Sequence, residues 1–266
     1  MNPNQSDSSS LITCIPYSPE LGERLREQSV TKSRPIWLRL AGGQQELFAV
    51  WPEQVIRLEG GTLTRECKAG TTPVPGGAKS LWALLRKGFG AKNVNSLSPF
   101  KGGWLGLLGY DLAQPEASAS SRLPFPDVLL GDYRRFVFID HGRKTAELVT
   151  LSGYTGPLDD PLVSLKSCEP DHYLLPFKLT HPFEAITSAA RYKADFNRIQ
   201  SLRQAGDCYQ VNYAQAFKAR CQGPGAAAMK RLLALTRAPN AAWMLAPEGE
   251  VLSLSPELFL SIQDGK

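Results

Sequence analysis

The sequence predicts an α+β fold in which antiparallel sheets are flanked by helices. Two observations predict it. Short alternating or apolar segments follow one another with only a few helical patterns interspersed. No internal repeat and no regular strand–helix alternation is present, which argues against a parallel βαβ array. With 266 residues, 42% hydrophobic and 21% charged, the composition is that of an ordinary globular chain. Such a length buries a sizeable core, as one large domain or two smaller ones.

Residues 1–10 carry four serines and no periodicity, and read as a flexible tail. Residues 19–28 predict a short helix. Residues 36–40, 46–51 and 55–59 predict strands, set between Gly-Gly and Trp-Pro breaks. Ser80 is suited to cap a helix whose Leu81, Leu84 and Leu85 share a face, with Gly88 ending it. Residues 113–127 read as a loop. Residues 134–139 and 145–151 predict a hairpin around Asp140-His141-Gly142. Residues 152–186 read as a connection. Ser188 or Thr187 opens a helix with Tyr192, Phe196, Ile199 and Leu202 at helical spacing, stopped by Gly206. A strand is expected over 208–218. Met229, Leu232, Leu233 and Leu235 mark a further helix, closed by Arg237-Ala238-Pro239. Residues 242–245 and 251–255 predict strands about a Pro247-Glu248-Gly249 turn. Residues 258–262 predict one more strand and 263–266 its turn, where the sequence stops.

Several function classes are excluded by the same residues. The formal charge is +5, and residues 187–266 hold +4 of it. No run of four Lys or Arg and no nucleic-acid-binding motif accompanies it, so a polyanionic partner is not expected. A mild basic excess fits a small anionic substrate equally well. Five scattered cysteines without a Cys-x-x-Cys pair give neither a disulfide framework nor a zinc site. The three histidines lack paired-ligand spacing, and His141 reads as a solvated turn residue. No apolar stretch is long enough to span a bilayer, and the start has no signal-peptide pattern, so a cytoplasmic protein is expected.

Three segments carry candidate chemistry. Phe100-Lys101-Gly102-Gly103-Trp104-Leu105-Gly106-Leu107-Leu108-Gly109-Tyr110-Asp111 has four glycines in eight residues, at a spacing unlike the phosphate-cradling loops. Glycine in a regular element costs about 0.5–1 kcal/mol against Ala, so close packing of two backbone layers is the physical reading. In Gly206-Asp207-Cys208-Tyr209-Gln210-Val211-Asn212-Tyr213, alternation places Tyr209, Val211, Tyr213 and Phe217 on one face, expected to be core. Cys208, Gln210 and Asn212 take the other. Amides facing a cavity hold a polar substrate; amides facing solvent carry no meaning. In Leu254-Ser255-Pro256-Glu257-Leu258-Phe259 a proline sets one carboxylate between apolar neighbours. Glu257 is either a surface residue at a strand break or a general acid favoured by apolar surroundings.

Together these segments resemble the chorismate-utilising enzymes, most strongly over residues 99–112 and 187–262. The resemblance implies a layered α/β sandwich of the anthranilate synthase component I type. Residues 11–180 would form its N-terminal lobe and residues 187–266 the first part of its chorismate-binding lobe. The Gln210-Val211-Asn212 run followed by Ala214-Gln215 is similar to the aminodeoxychorismate synthase branch, whereas anthranilate synthases more often carry Gln-Val-Val. Isochorismate and salicylate synthases have a water-activating lysine where Gln210 stands, and glutamine fits ammonia as the nucleophile. The implied enzyme is a transferase that replaces the C4 hydroxyl of chorismate by an amine, toward p-aminobenzoate and folate. Its ammonia would come from a glutamine amidotransferase subunit.

By the same resemblance Glu257 protonates the departing C4 hydroxyl, and Gln210, Asp207, Asn212 and Ser255 contact substrate. Mg²⁺ is implied as cofactor, its glutamate ligands expected beyond residue 266 and none within the chain. An inner tryptophan-type pocket would involve Ala41, Pro239, Asn240 and Ala241. The chain departs from the pattern there, for Leu40-Ala41-Gly42-Gly43-Gln44-Gln45-Glu46 lacks the family's hydroxyl and arginine, and only Pro239 remains of the commoner Pro-aromatic-Ser wall. After Ser-Pro-Glu-x-Phe the family continues to a Pro-Ile-Lys-Gly-Thr segment, whose lysine forms a covalent adduct with chorismate in the aminodeoxychorismate synthases. Anthranilate synthase component I, with alanine at that lysine, is the alternative within the family. A non-catalytic module docking an amidotransferase is the alternative outside enzymology. Reading these 266 residues as a C-terminally shortened form gives the first expectation: purified residues 1–266, assayed with chorismate and ammonia, yield little or no aminodeoxychorismate.

Overall fold

A computed structural model describes residues 10–29, 33–88, 94–113, 125–157 and 175–262. Most of the expected tail, most of the loop over 113–127 and the turn over 263–266 lie outside the described residues, as do residues 158–174 of the connection. In chain order the elements are β1 (Leu11–Ile15), α1 (Leu21–Gln28), β2 (Ile36–Leu40), β3 (Gln45–Ala49), β4 (Gln54–Glu59), β5 (Thr62–Cys67) and β6 (Gly70–Pro73). Then come α2 (Leu81–Gly88), β7 (Gly103–Leu108), β8 (Val128–Tyr133), β9 (Arg135–Asp140) and β10 (Thr145–Thr150). The remainder are β11 (Lys178–Leu179), β12 (Glu184–Ala185), α3 (Ala189–Ala205), β13 (Phe217–Lys218), β14 (Cys221–Gln222), α4 (Gly225–Thr236), β15 (Asn240–Ala246) and β16 (Gly249–Ser255). All ladders are antiparallel. The α+β class is the observed one.

Two compact units divide the chain: Met1–Leu174 with Gly225–Lys266, and Leu175–Pro224. The first is built on a seven-stranded sheet ordered β1-β10-β9-β3-β2-β15-β16 and a five-stranded sheet ordered β6-β5-β4-β8-β7. Its seven-stranded sheet draws strands from both sides of the 180/187 boundary expected between lobes. Alternation sends Trp37, Phe48, Val137, Ile139 and Trp243 to one face, where Leu21 and Leu25 of α1 and Met229 of α4 pack on them. Ile36, Leu47, Ala49, Phe136 and Met244 point the other way and meet Val55, Leu129 and Tyr133 of the smaller sheet. Beyond that sheet, Ile56, Leu58 and Leu130 are covered by Leu81 and Leu85 of α2. The layers therefore run helix, sheet, sheet, helix. Arg57 of β4 pairs with Glu248 in the turn between β15 and β16, tying one sheet to the other.

The second unit is small. It holds α3 and the two-residue ladders β11–β14 and β12–β13. Ser188 caps α3, its hydroxyl accepting from the Arg191 N–H at 3.2 Å. Gly206 ends the helix at φ 84°, and the Gly206 and Asp207 amides return to the Arg203 and Leu202 carbonyls. No residue of α3 is buried.

Five expectations are corrected. The strand over 208–218 reduces to the two residues of β13, because no neighbouring strand offers residues 208–216 a ladder among the described residues. Tyr209 and Phe217, expected in a core, are exposed, Tyr209 at 94%. Residues 258–262 form no strand for the same reason, and Phe259 is 97% exposed. Ser80 does not cap α2: its hydroxyl donates to the Pro75 carbonyl at 2.6 Å. The His141 ring is no free turn residue. Its Nε2 lies 3.2 Å from Glu46 Oε1 and its Nδ1 3.1 Å from the Tyr17 hydroxyl. A carboxylate only accepts, so Nε2–H donates to Glu46 and the tyrosine donates to Nδ1.

Two predictions follow from this packing. Burial pushes the Glu46 carboxyl up, but hydrogen bonds from His141 and Trp37 and the charge of Arg26 outweigh it and hold the group below its ordinary 4.5. Its contribution to stability is therefore complete above the unfolded value and lost as pH falls through the lower folded value. In urea titrations Glu46→Ala is expected to cost about 2–3 kcal/mol at neutral pH, by orphaning the buried Trp37 indole, and progressively less in acid. The second concerns the glycine run. Gly106 sits in β7 at φ 154°, and a Cβ there would lie 2.0 Å from the Leu129 carbonyl oxygen of β8. The close approach is thus between neighbouring strands of one sheet, and not between two layers. Gly106→Ala is expected to lose about 2–4 kcal/mol by the same measurement, and Gly42→Ala, with open space at φ 65°, only about 1 kcal/mol.

Candidate functional site

The sequence-derived site residues fall in three places. Asp207, Gln210 and Asn212 lie on the segment that follows α3. Its backbone leaves the helix through the Gly206 cap and runs without a ladder to β13. Gln210 lines a groove of about 480 Å³ with Tyr192, Phe196, Ile199 and Arg203 of α3 and Tyr209, Val211 and Tyr213 of its own segment. The groove is thus walled by aromatic rings and carries two amides, Gln200 and Gln210, and the Arg203 guanidinium. Such a lining suits a planar, partly apolar molecule with polar substituents. Asp207 contributes its backbone to the helix cap. Asn212 is exposed.

Ser255 and Glu257 lie at the end of β16, in the other unit. The Ser255 hydroxyl donates to the Glu257 carbonyl at 2.7 Å and accepts from the Glu257 N–H at 3.3 Å. Ser255 therefore shapes the turn that presents Glu257. The Glu257 carboxylate is exposed in this unit, beside exposed Leu258 and Phe259, as the surface alternative has it and not in apolar surroundings.

The residues of the expected tryptophan-type pocket are brought together. Ala41, at φ 49°, stands in a single helical turn after β2, and Ala241 of β15 is in register with Arg39. Asn240 opens β15 and Pro239 precedes it. Ala241 is buried, Asn240 and Pro239 half-buried and Ala41 exposed.

One group at the site escaped sequence reasoning. The Tyr213 hydroxyl donates to Asp195 Oδ2 at 2.6 Å, and Arg191 Nε donates to the same oxygen at 2.7 Å. The Tyr213 bond, then the Arg191 bond, hold the Asp195 carboxyl below its ordinary value, while the bond to Asp195 raises the Tyr213 hydroxyl. Tyr192 stacks on Tyr213 with centroids 5.3 Å apart. The i, i+4 spacing of Arg191 and Asp195 was a readable signal for half of this group. Nothing local connects Tyr213 to it.

Among the described residues no three His, Cys, Asp or Glu side chains are gathered so as to hold a metal ion. These residues therefore do not fit a magnesium site, and no step is derived through one. Among the same residues no helix is long and apolar enough to cross a membrane, which leaves strands unaddressed.

Comparison with known proteins places this geometry. The pattern of the chorismate binding enzyme family matches residues 76–266. Aminodeoxychorismate synthase component 1 of Klebsiella aerogenes is 38% identical over 173 residues, 63% of this chain and 37% of that protein. The Escherichia coli protein of the same name is 31% identical over 204 residues, 75% of this chain and 44% of that protein. The chain thus spans about two-fifths of the length of the curated relatives it matches. Anthranilate synthase component I from Streptococcus pneumoniae superposes with a TM-score of 0.67 at 17% identity, over 84% of this chain and 52% of that one. That likeness bears on the fold alone.

Proposed function

The chain belongs to the chorismate binding enzyme family, and from that premise we propose that the protein exchanges the C4 hydroxyl of chorismate for ammonia, giving 4-amino-4-deoxychorismate. The observation that carries this reading is the match over three-quarters of the chain to a relative named for that chemistry. Anthranilate synthesis is the weaker reading, because the solved anthranilate synthase shares the fold at only 17% identity.

Hydroxide is a poor leaving group, so the C4–O bond needs a proton as it breaks. Glu257 supplies it in this reading, the departing group leaves as water, and the ammonia lone pair forms the C4–N bond. The carboxylate left behind takes up the proton that the new C–N ammonium sheds. The Ser255 turn holds the Glu257 backbone so that its side chain is available for this. Gln210 is a neutral amide, able to accept from ammonia without activating water. The product leads toward p-aminobenzoate and folate. A glutamine amidotransferase subunit is the proposed ammonia source and the cytoplasm the proposed location; Mg²⁺ is the proposed cofactor, its ligands lying outside the described residues.

The test is direct. The protein expressed from its own gene is incubated with chorismate and an ammonium salt, and products are separated by chromatography. Appearance of 4-amino-4-deoxychorismate supports the reading; anthranilate in its place, or unchanged chorismate, overturns it. Glu257→Gln is expected to lower kcat by roughly 10²–10⁴-fold with chorismate affinity retained, as loss of a general acid requires.

A further inference from the structure

We propose that Asp195 and Tyr213 are positioning residues for Gln210, an inference that rests on the chorismate reading above. Residues 207–216 have no backbone ladder among the described residues. The segment is fixed at one end by the Gly206 cap and at the other by the two-residue pairing of β12 with β13. The Asp207 amide and the Ala216 carbonyl, which accepts from the Ile186 N–H, are the backbone anchors, and residues 208–215 run between them. Tyr213 supplies the fastening, through its 2.6 Å bond to Asp195 and its stacking on Tyr192. Both partners stand on α3: Asp195 directly precedes the groove-lining Phe196, and Tyr192 lines the groove itself.

The carboxylate is itself held. Arg191 donates to Asp195 Oδ2 from one turn earlier on the helix, so the acceptor is fixed before the tyrosine meets it. A hydrogen bond to a charged acceptor is stronger than a neutral one, and here it restrains a segment that has few other restraints. Gln210 lies three residues before Tyr213 and lines the same groove. Releasing the hydroxyl leaves, of these two fastenings, the ring stacking on Tyr192, which allows the segment bearing Gln210 to slide. Neither Asp195 nor Tyr213 needs to touch substrate for this. Each acts through the position of the amide.

The test is a double-mutant cycle read as chorismate affinity. Chorismate is titrated calorimetrically into the protein expressed from its own gene and into Tyr213→Phe, Asp195→Ala, Asp195→Asn and the Tyr213→Phe/Asp195→Ala pair, with thermal midpoints measured alongside. Tyr213→Phe and Asp195→Ala are each expected to weaken binding about tenfold, the scale of one charge-assisted hydrogen bond. The pair is expected to bind no more weakly than either single variant, since the same bond is lost once. Asp195→Asn keeps an acceptor and is expected to bind nearly as the unmodified protein does. Thermal midpoints are expected to stay unchanged. Unaltered binding in the single variants, additive losses in the pair, or losses that track a falling midpoint would overturn the positioning role alone. Failure of the unmodified protein to bind chorismate would instead overturn the proposed function, and the positioning role with it.

Discussion

Two fully buried tryptophans, opposite one another on neighbouring strands, hold the larger unit together. Trp37 of β2 is in register with Trp243 of β15, and each indole N–H is given to a glutamate. Trp37 donates to Glu46 of β3 at 2.7 Å, and Trp243 donates to Glu250 of β16 at 2.6 Å. A buried indole without an acceptor is costly, so each ring dictates a carboxylate on the adjoining strand. The carboxylates then recruit their own partners. Glu46 gathers His141 from the β9–β10 turn, and through it Tyr17. Glu250 accepts from the Gly225 and Ala226 amides and so seats the first turn of α4. Arg26 of α1 lies over the Trp37 ring at 4.1 Å. Four strands, two helices and a turn are thus specified around one pair of rings.

The seat of Glu257 follows from that arrangement. β16 is in place because β15 is, and β15 because β2 receives it. The Ser255 turn at its end is a short local device on a strand anchored by long-range pairing. The amide at Gln210 has the opposite kind of support, a helix cap and side chains in place of a ladder. The two residues assigned to proton and nucleophile therefore stand on differently built platforms.

How much of this was legible depended on where the stabilising partner lay in sequence. The Ser188 and Gly206 boundaries of α3, the β9–β10 hairpin and the β15–β16 hairpin use partners a few residues away, and the sequence states them. A period of two reports which side chains share a face, but not whether another strand will accept the backbone, so 208–218 and 258–262 were overread as strands. β5 and β6, with sequences TLTREC and GTTP, carry almost no apolar alternation and went unread. β8 is buried at every residue, so it shows no alternation either. His141 was misjudged because its partners are 95 and 124 residues distant. At the site, Glu257 and Gln210 were found through family resemblance. The turn made by Ser255 is local and still carried no signal beyond the neighbouring proline, and Tyr213 was taken for core because its acceptor sits on another element.

The insertion of β2 between β3 and β15 has a kinetic consequence. One flank of β2 pairs with the next strand in the chain, a contact available within moments of synthesis, while the other waits for residues about 200 positions later. Until β15 emerges from the ribosome, Trp37 has an edge backbone beside it and no facing ring. Closing so distant a contact is entropically slow, and an unpaired apolar edge is the kind of surface on which nascent chains aggregate. Arg39 and the half-buried Leu38 and Leu40 belong to the strand with that waiting edge. Of the two strands that flank β2, β15 is the one that must be reached across most of the chain.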